Sequence, residues 1–390
     1  MLYCSTISTP TIESYKNSMK KLLYTFIIGP LIVASSLNRT MDRKTTIEGV
    51  NTVAFISNDT LVVGSIAGAY LCKHTNQGPI TPLNKTPTYN IITDLPQKKI
   101  GLLCKNFFLV YNTETKQKTK SYLIPNGNSY SAAFSSIDNT NFICQNEQLM
   151  GDSSVTLPFT GANNYFGVAC HPTKKHILYP CSNTTLLEKA LDNCSTTCYC
   201  PTIDTPVYPR HSDYIPDSIR SALYSPDGTH IAILTDKKNI FIYNPATKKT
   251  NPVVLNCSCI NMAFIPHSSL IGLLCVCNSI HFVDCKIPKK IAQIDSLVPK
   301  GTSLTQNILI NTLDFSPNGT QYAAVVNHKC FIDDIPPNAM SVVTKGKILS
   351  IYYLLKKYSY QNHYFLPLEV IQLFIQKLFD LKDKGADFIA

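Results

Sequence analysis

The residues best suited to chemistry in this sequence are its cysteines, most of which fall between positions 181 and 285. This group consists of Cys181, Cys194, Cys198, Cys200, Cys257, Cys259, Cys275, Cys277 and Cys285. A zinc site typically uses cysteine pairs separated by two to four residues. Only Cys194 and Cys198 form such a pair, because the spacing in Cys257–Cys259 and Cys275–Cys277 is shorter. Residues two apart on a strand point to the same face. We therefore favour cross-strand or loop disulfides over the two alternatives, free buried thiols and a metal site.

The motifs of common enzymes are missing from the sequence. It contains no H-E-x-x-H, G-x-S-x-G, P-loop or G-x-G-x-x-G segment. His171, His230 and His281 lie far apart in the chain, and each is interpreted as a packed or surface residue. We therefore predict no enzyme: no catalytic, cofactor-binding or metal-binding residue is assigned.

The elements that must position these residues recur along the chain. Residues 221–244 read as strand, tight turn, strand, polar turn and strand. Pro226 and Gly228 are typical of the first turn, and isoleucines alternate with small or polar residues on the strands. The same frame returns over 311–332 and, more weakly, at five other places, where the marker residues are Phe55, Asp94, Phe134, Cys170 and Phe264.

The repeat indicates a β-propeller. Most markers, taken together with Tyr224 and Phe315, are about 40 residues apart, the length of a four-stranded blade. One such sheet cannot bury both of its faces, whereas sheets stacked in a ring cover one another. The predicted fold is all-β, a seven-bladed β-propeller over 45–335 with a short C-terminal helical extension over 336–390; a β-sandwich is the alternative.

The units resemble WD-repeat blades, especially 221–249 and 311–335. Tyr243-Asn244 stands where that family has Trp-Asp, and the family's Gly-His dipeptide is missing. The Ser-Pro-Asp-Gly turn at 225–228 is also similar to that of TolB-like periplasmic propellers. The resemblance implies a scaffold that binds proteins.

The N-terminus is typical of an export signal. Met19 opens MKKLLYTFIIGPLIVASS, in which two lysines precede an apolar run and small residues from Ala34 to Ser36. This is the build of a secretory signal peptide. We predict a leader and signal peptide over 1–36, with Met19 as the true start, and a periplasmic or secreted protein without a membrane span; an uncleaved anchor is the alternative. The 14 cysteines after Met19, an even number, agree with export.

Charge and the C-terminus add two expectations. The net charge is +10, but the lysines stand mostly in turn-like pairs such as Lys174-Lys175 and Lys237-Lys238, so no nucleic-acid partner is predicted. Residues 366–382 have apolar residues at helical spacing. Their Leu-Pro-Leu-Glu-Val-Ile start is similar to an F-box or SOCS-box helix; a helical hairpin packing on the propeller or a partner is preferred.

Three functions are considered for the propeller. The first is a non-enzymatic protein-interaction scaffold of the WD-repeat type, exported to the periplasm or secreted. The second is a propeller hydrolase or lactonase with a metal at the channel mouth, and the third is a TolB-like envelope-assembly component. The second would need ligands that converge from several blades, for which the candidates are Asp94 and Asp314 on predicted inner strands. Asp227 and Asp236 are interpreted as turn residues.

Overall fold

The computed structural model describes most of the chain between residues 45 and 344, and residues 43–347 form one compact unit. The described residues are 45–74, 81–124, 131–135, 141–145, 148–151, 155–156, 167–180, 184–192, 195–199, 201, 217–295, 297, 312–344, 347 and 375–376. The predicted signal peptide and the predicted helix 366–382, except 375–376, lie outside them. The domain boundaries at 36, 45 and 335 stay predictions. No helix within these ranges is long and apolar enough to cross a membrane.

The described residues form six blades in which four consecutive strands pair antiparallel in chain order. Blade 1 consists of β2 (Thr52–Phe55), β3 (Thr60–Ser65), β4 (Gly68–Lys73) and β5 (Thr81–Asn84). Blade 2 consists of β6 (Thr88–Asp94), β7 (Lys99–Cys104), β8 (Phe107–Asn112) and β9 (Lys118–Leu123). Blade 3 consists of β10 (Ser131–Phe134), β11 (Asn141–Gln145), β12 (Gln148–Gly151) and β13 (Val155–Thr156).

The other three blades follow the same plan. Blade 4 consists of β14 (Ala169–Cys170), β15 (His176–Pro180), β16 (Leu186–Ala190) and β17 (Thr196–Tyr199). Blade 5 consists of β18 (Ile219–Tyr224), β19 (Ile231–Thr235), β20 (Ile240–Asn244) and β21 (Lys249–Val253). Blade 6 consists of β22 (Cys259–Phe264), β23 (Leu270–Cys275), β24 (Ile280–Asp284) and β25 (Lys289–Ile294).

The remaining strands form a composite closing sheet, and this corrects the prediction of seven like blades. After β26 (Leu313–Phe315), β27 (Gln321–Val326) and β28 (Lys329–Asp334), the fourth strand is β1 (Thr45–Glu48), from the other end of the described chain. The prediction is wrong in its count, because only six blades of four consecutive strands form. The last repeat contains three strands, and β1 supplies its outer edge by pairing Thr45 with Ile332 and Glu48 with Lys329.

The first strands of the sheets line the inside of the ring. β2 contacts β6 on one side and β26 on the other, and β10, β14 and β22 contact the inner strands next to them. All seven repeat markers end first strands, from Phe55 on β2 to Phe315 on β26. The core lies between neighbouring sheets, where the fully buried residues include Leu61, Phe108 and Phe282. Burial between sheets stabilises the ring, since each sheet exposes both faces when alone.

The antiparallel order gives the propeller two sides. We call upper the side where the first and third strands of each blade begin, and lower the side where the second and fourth strands begin. The turns between second and third strands, such as 66–67, therefore lie on the upper side. The Ser-Pro-Asp-Gly turn at 225–228 joins a first to a second strand and lies on the lower side.

A short helix follows the last strand and belongs to the predicted C-terminal extension. Helix α1 spans 337–344 and starts with Pro337, a residue favoured in the first helical turn. Its Ala339 and Val343 are fully buried in the cluster that contains Ile265 and Phe315. The helix is therefore held by packing against blade 6 and the closing sheet.

Candidate functional site

Exposed large apolar side chains collect on the upper side. Seven such residues are exposed in the described ranges. Six of them lie on the upper side, in turns or at strand ends: Ile66, Tyr89, Phe107, Leu123, Val254 and Val276. Only Ile287, between β24 and β25, lies on the lower side. Single exposed apolar residues are ordinary on a protein surface, but a one-sided distribution is typical of an interaction surface. We call these six residues the apolar face.

The apolar face is densest on blade 2. Phe107 is the first residue of β8 and Leu123 is the last residue of β9, and the two are paired across the strands. Cross-strand partners have Cβ atoms about 5 Å apart, so these side chains adjoin each other. Tyr89, at the start of β6 in the same blade, is 54% exposed. Blade 2 therefore presents three large apolar residues at its upper edge.

A thiol–imidazole cluster lies at the upper edge of blade 6. It consists of Cys257, Cys275, Cys277, Ser279 and His281. Cys257 is in the connection that leads from β21 into β22, and the other four lie on the hairpin from β23 to β24. The backbone N–H of Val276 donates to the Ser258 carbonyl at 2.9 Å and holds the hairpin against the connection. The cluster therefore joins two segments that are separate in sequence.

The donor atoms of the cluster lie close together. The ligand atoms of Cys257, Cys275 and His281 are all within 4.8 Å of one another. His281 Nε2 lies 3.3 Å from the Cys257 Sγ and 2.9 Å from the Ser279 Oγ. The Cys277 Sγ lies 3.0 Å from the same Ser279 oxygen. His281 is 2% exposed and Cys275 is fully buried, whereas Cys277 is exposed.

Burial decides the protonation of this cluster. It raises the pKa values of the Cys257 and Cys275 thiols, because a thiolate loses its hydration there. Burial, together with the charge of Lys290, lowers the pKa of His281, so the imidazole is neutral at pH 7. At Cys277 burial acts in the same direction as at its neighbours, but hydrogen bonds from Ser279 outweigh it and lower the pKa. Cys277 is therefore the thiol of the cluster that ionises most readily.

The predicted disulfides are not supported. Six of the predicted cysteines lie in the described ranges, where no two sulfurs are at disulfide distance: Cys198, Cys257, Cys259, Cys275, Cys277 and Cys285. Cys181, Cys194 and Cys200 lie outside the described residues. Cys259 and Cys285 are buried in the core between blades 5 and 6, where they pack as small apolar residues. The close cysteine pairs therefore do not form cross-strand links in this structure.

A second buried polar cluster surrounds Glu188 between blades 4 and 5. Its carboxylate accepts hydrogen bonds from the hydroxyls of Tyr224 at 2.5 Å and Tyr199 at 2.6 Å, and His176 Nδ1 lies 3.2 Å away. Burial acts to raise the pKa of Glu188, but these hydrogen bonds outweigh it and lower the pKa. Burial and the carboxylate raise the pKa of Tyr224. With every group buried or partly buried, the cluster joins two blades rather than facing solvent.

The two predicted inner acids do not meet. Asp94 ends β6 and accepts a hydrogen bond from the backbone N–H of Gln97 in its own turn. Asp314 lies on β26, and its Oδ2 accepts a hydrogen bond of 2.7 Å from the N–H of Phe55 on β2. Burial raises the pKa of Asp314 to about 6. Within the described ranges neither acid belongs to a group of three metal-binding side chains. Asp314 joins the closing sheet to blade 1.

His171 and Asp227 take structural positions on the lower side, whereas Asp236 lies in the turn after β19 on the upper side, where its carboxylate accepts a hydrogen bond from the Ser218 hydroxyl. His171 Nδ1 accepts hydrogen bonds from the N–H groups of Thr173 and Lys174, so it caps its own turn. The Asp227 carboxylate accepts from the Ser225 hydroxyl at 2.6 Å, as expected for a turn residue. His281 alone among the histidines singled out from sequence joins a donor cluster. The β23–β24 hairpin pairs His281 with Leu273 and so brings it near Cys275. Recognising this register in the sequence would have placed the two side chains together.

The sheets form a β-propeller, and comparison with solved structures agrees with this fold. A chain of the structure titled "Crystal Structure of Mitotic Checkpoint Complex" matches with a TM-score of 0.57 and 12% identity, over 77% of this chain and 96% of the other. The β-propeller domain of Myceliophteria thermophila Cps50 (Swd1) matches with a TM-score of 0.58 and 10% identity, over 75% and 100%. No protein-family model and no curated protein matches the sequence.

Proposed function

We propose that this chain is a non-enzymatic scaffold that binds another protein through its apolar face. The observation that carries the proposal is the one-sided placement of exposed apolar residues, six on the upper side against Ile287 on the lower. Burying such side chains against a partner contributes roughly 25 cal/mol per Å² of apolar area. In protein–protein interfaces a few large residues, often aromatic, contribute most of the binding free energy.

The rigidity of the blades supports a binding role. The upper ends of β8 and β9 are held by ladder pairing between Phe107 and Leu123 and by the fully buried Phe108 beneath them. A preorganised surface loses little conformational entropy on binding. The two solved structures that this chain resembles, one of them from a mitotic checkpoint complex, support a scaffold only through their shared fold.

The enzyme alternative has no support from the inner strands. A metal at the channel mouth would need converging ligands, and Asp94 and Asp314 each cap backbone N–H groups instead. They belong to different sheets, with β2 of blade 1 between them in the ring. We therefore keep the scaffold as the proposed function.

We further propose that the scaffold is exported to the periplasm or secreted. The support is the segment from Met19 to about Ser35, with its lysines, apolar run and small residues. The cysteine count does not support export here, because no two sulfurs in the described ranges lie at disulfide distance. Fractionation of cells that express the full chain, with sequencing of the N-terminus of the mature protein, tests this proposal separately.

The scaffold is tested with paired surface variants. The full chain is used to capture partners, and the captured protein is quantified for the wild type and for the variant Phe107→Ser with Leu123→Ser. We expect partner affinity to fall at least about tenfold in this variant, because each anchor contributes about 1–2 kcal/mol. Ile287→Ser is the matched control on the lower side and should bind normally. Equal binding by all three proteins would show that the apolar face is not the docking surface.

A further inference from the structure

The thiol–imidazole cluster at the upper edge of blade 6 has the composition and shape of a metal site. We propose that Cys257, Cys275 and His281 bind a zinc ion, with Cys277 as the fourth ligand. This inference does not depend on the proposed scaffold function, because it rests on different side chains.

The distances between the donor atoms fit tetrahedral zinc. With Zn–S near 2.3 Å and Zn–N near 2.0 Å, tetrahedral geometry places sulfur and nitrogen about 3.6 Å apart and two sulfurs about 3.8 Å apart. The Cys257 Sγ and His281 Nε2 are 3.3 Å apart, and all three donors lie within 4.8 Å of one another. Three of the four donors therefore lie within about 1 Å of the separations that tetrahedral zinc requires.

The fourth ligand is available at the exposed turn. The Cys277 Sγ lies 3.0 Å from the Ser279 Oγ, and the same oxygen lies 2.9 Å from His281 Nε2. Since Cys277 is exposed in the turn between β23 and β24, its side chain can rotate without disturbing the core. Three cysteines and one histidine are a common ligand set of closed structural zinc sites.

The buried imidazole is oriented for a metal. His281 is 2% exposed, and its Nε2 points at the sulfur cluster. Its other nitrogen, Nδ1, has no hydrogen-bond partner within the described part of the chain. On its Nε2 side the ring contacts the Cys257 sulfur and the Ser279 hydroxyl.

Metal binding at this position would fasten two separate segments. Cys257 lies in the connection after β21, which carries the exposed Val254, and Cys277 lies next to the exposed Val276. A zinc ion would link the connection to the hairpin more firmly than the hydrogen bond from Val276 to Ser258. Its site would then hold part of the apolar face in place.

The test is metal binding by the purified full chain under reducing conditions. We expect one equivalent of zinc by elemental analysis, and Co²⁺ in its place should give the intense visible bands of tetrahedral thiolate coordination. Zinc binding in weak buffer should release protons as the buried thiols ionise. Cys257→Ser and His281→Ala should each weaken zinc affinity by at least about tenfold, and Cys277→Ser should weaken it as well.

Matched controls separate the site from general thiol chemistry. Cys198→Ser removes an exposed cysteine on blade 4, and Cys285→Ala removes a buried cysteine on the lower side of blade 6. Both should keep one equivalent of zinc and the Co²⁺ spectrum. Substoichiometric zinc in the wild type, or loss of zinc equal in controls and cluster variants, would overturn the proposal. A disulfide between Cys257 and Cys275 in the protein isolated without reductant would overturn it too.

Discussion

Asp314 offers the sharpest test of how the ring is closed. This carboxyl lies on β26 of the closing sheet, and burial raises its pKa to about 6, against an ordinary value near 4. A pKa difference of about 2 between folded and unfolded chains corresponds to about 3 kcal/mol of folding free energy. Because the side chain keeps some exposure, we expect Asp314→Asn to stabilise the protein by about 1–3 kcal/mol at neutral pH.

The sign follows from proton binding. Between about pH 4 and 6 the folded protein holds a proton on Asp314 that the unfolded chain has released, so wild-type stability falls as pH rises through this window. The asparagine variant has no such loss, and its side-chain oxygen still accepts from the N–H of Phe55. The difference in unfolding free energy between the two proteins should therefore be small below about pH 4 and reach its full value above pH 6.

The assay is urea unfolding at a series of pH values, followed by circular dichroism and by the fluorescence of the tyrosines, since the sequence has no tryptophan. Taking the difference between variant and wild type cancels every other titrating group. Asp192→Asn, at an exposed turn of blade 4, is the control for a surface substitution and should change the unfolding free energy at neutral pH by less than about 0.5 kcal/mol. An Asp314→Asn protein less stable than wild type at neutral pH, or a flat difference, would refute the reasoning.

Two further substitutions test contacts between sheets. Glu188→Gln should lower the unfolding free energy by about 2–3 kcal/mol at neutral pH, because it removes the charge that accepts from Tyr224, whereas the exposed Glu114→Gln should cost under about 0.5 kcal/mol. Since the pKa of Glu188 is lowered, the loss of unfolding free energy caused by Glu188→Gln should shrink as pH falls through that pKa. Equal losses of unfolding free energy for Glu188→Gln and Glu114→Gln would contradict the role of the buried carboxylate. Gly272→Ala should destabilise by about 1–3 kcal/mol, because the added Cβ would lie 2.3 Å from the Phe315 ring. In a protein that also carries Phe315→Leu, Gly272→Ala should lower the free energy of unfolding by less, as measured by denaturant unfolding. An equal loss in both backgrounds would rule out this clash.

Much of the local structure was predictable because its causes are local. Alternating apolar residues and turn residues such as Pro226 and Gly228 act over a few positions, so the first strands and their ends could be placed from sequence. The marker residues Phe55 and Phe264 each end a first strand as that pattern requires. The same reasoning assigned Asp227 to a turn, where it accepts from Ser225.

The disulfide prediction went wrong for a reason of geometry. Spacing in sequence shows that Cys275 and Cys277 are close, but not what lies opposite them. The hairpin register brings His281 to the same edge, and the connection after β21 brings Cys257 there. Sequence spacing alone therefore does not show which side chains these cysteines face.

By itself the sequence determined the repeat, the strand period and the turn chemistry, because each depends on residues that are neighbours along the chain. Only the tertiary structure decided that β1 completes the last sheet, that Asp314 caps Phe55, and that six of the seven exposed large apolar residues in the described ranges share one side. These features join residues as many as about 280 positions apart, as in the pairing of Glu48 with Lys329. Their cause is the closing of the ring, in which each sheet removes the apolar surface of its neighbours from water.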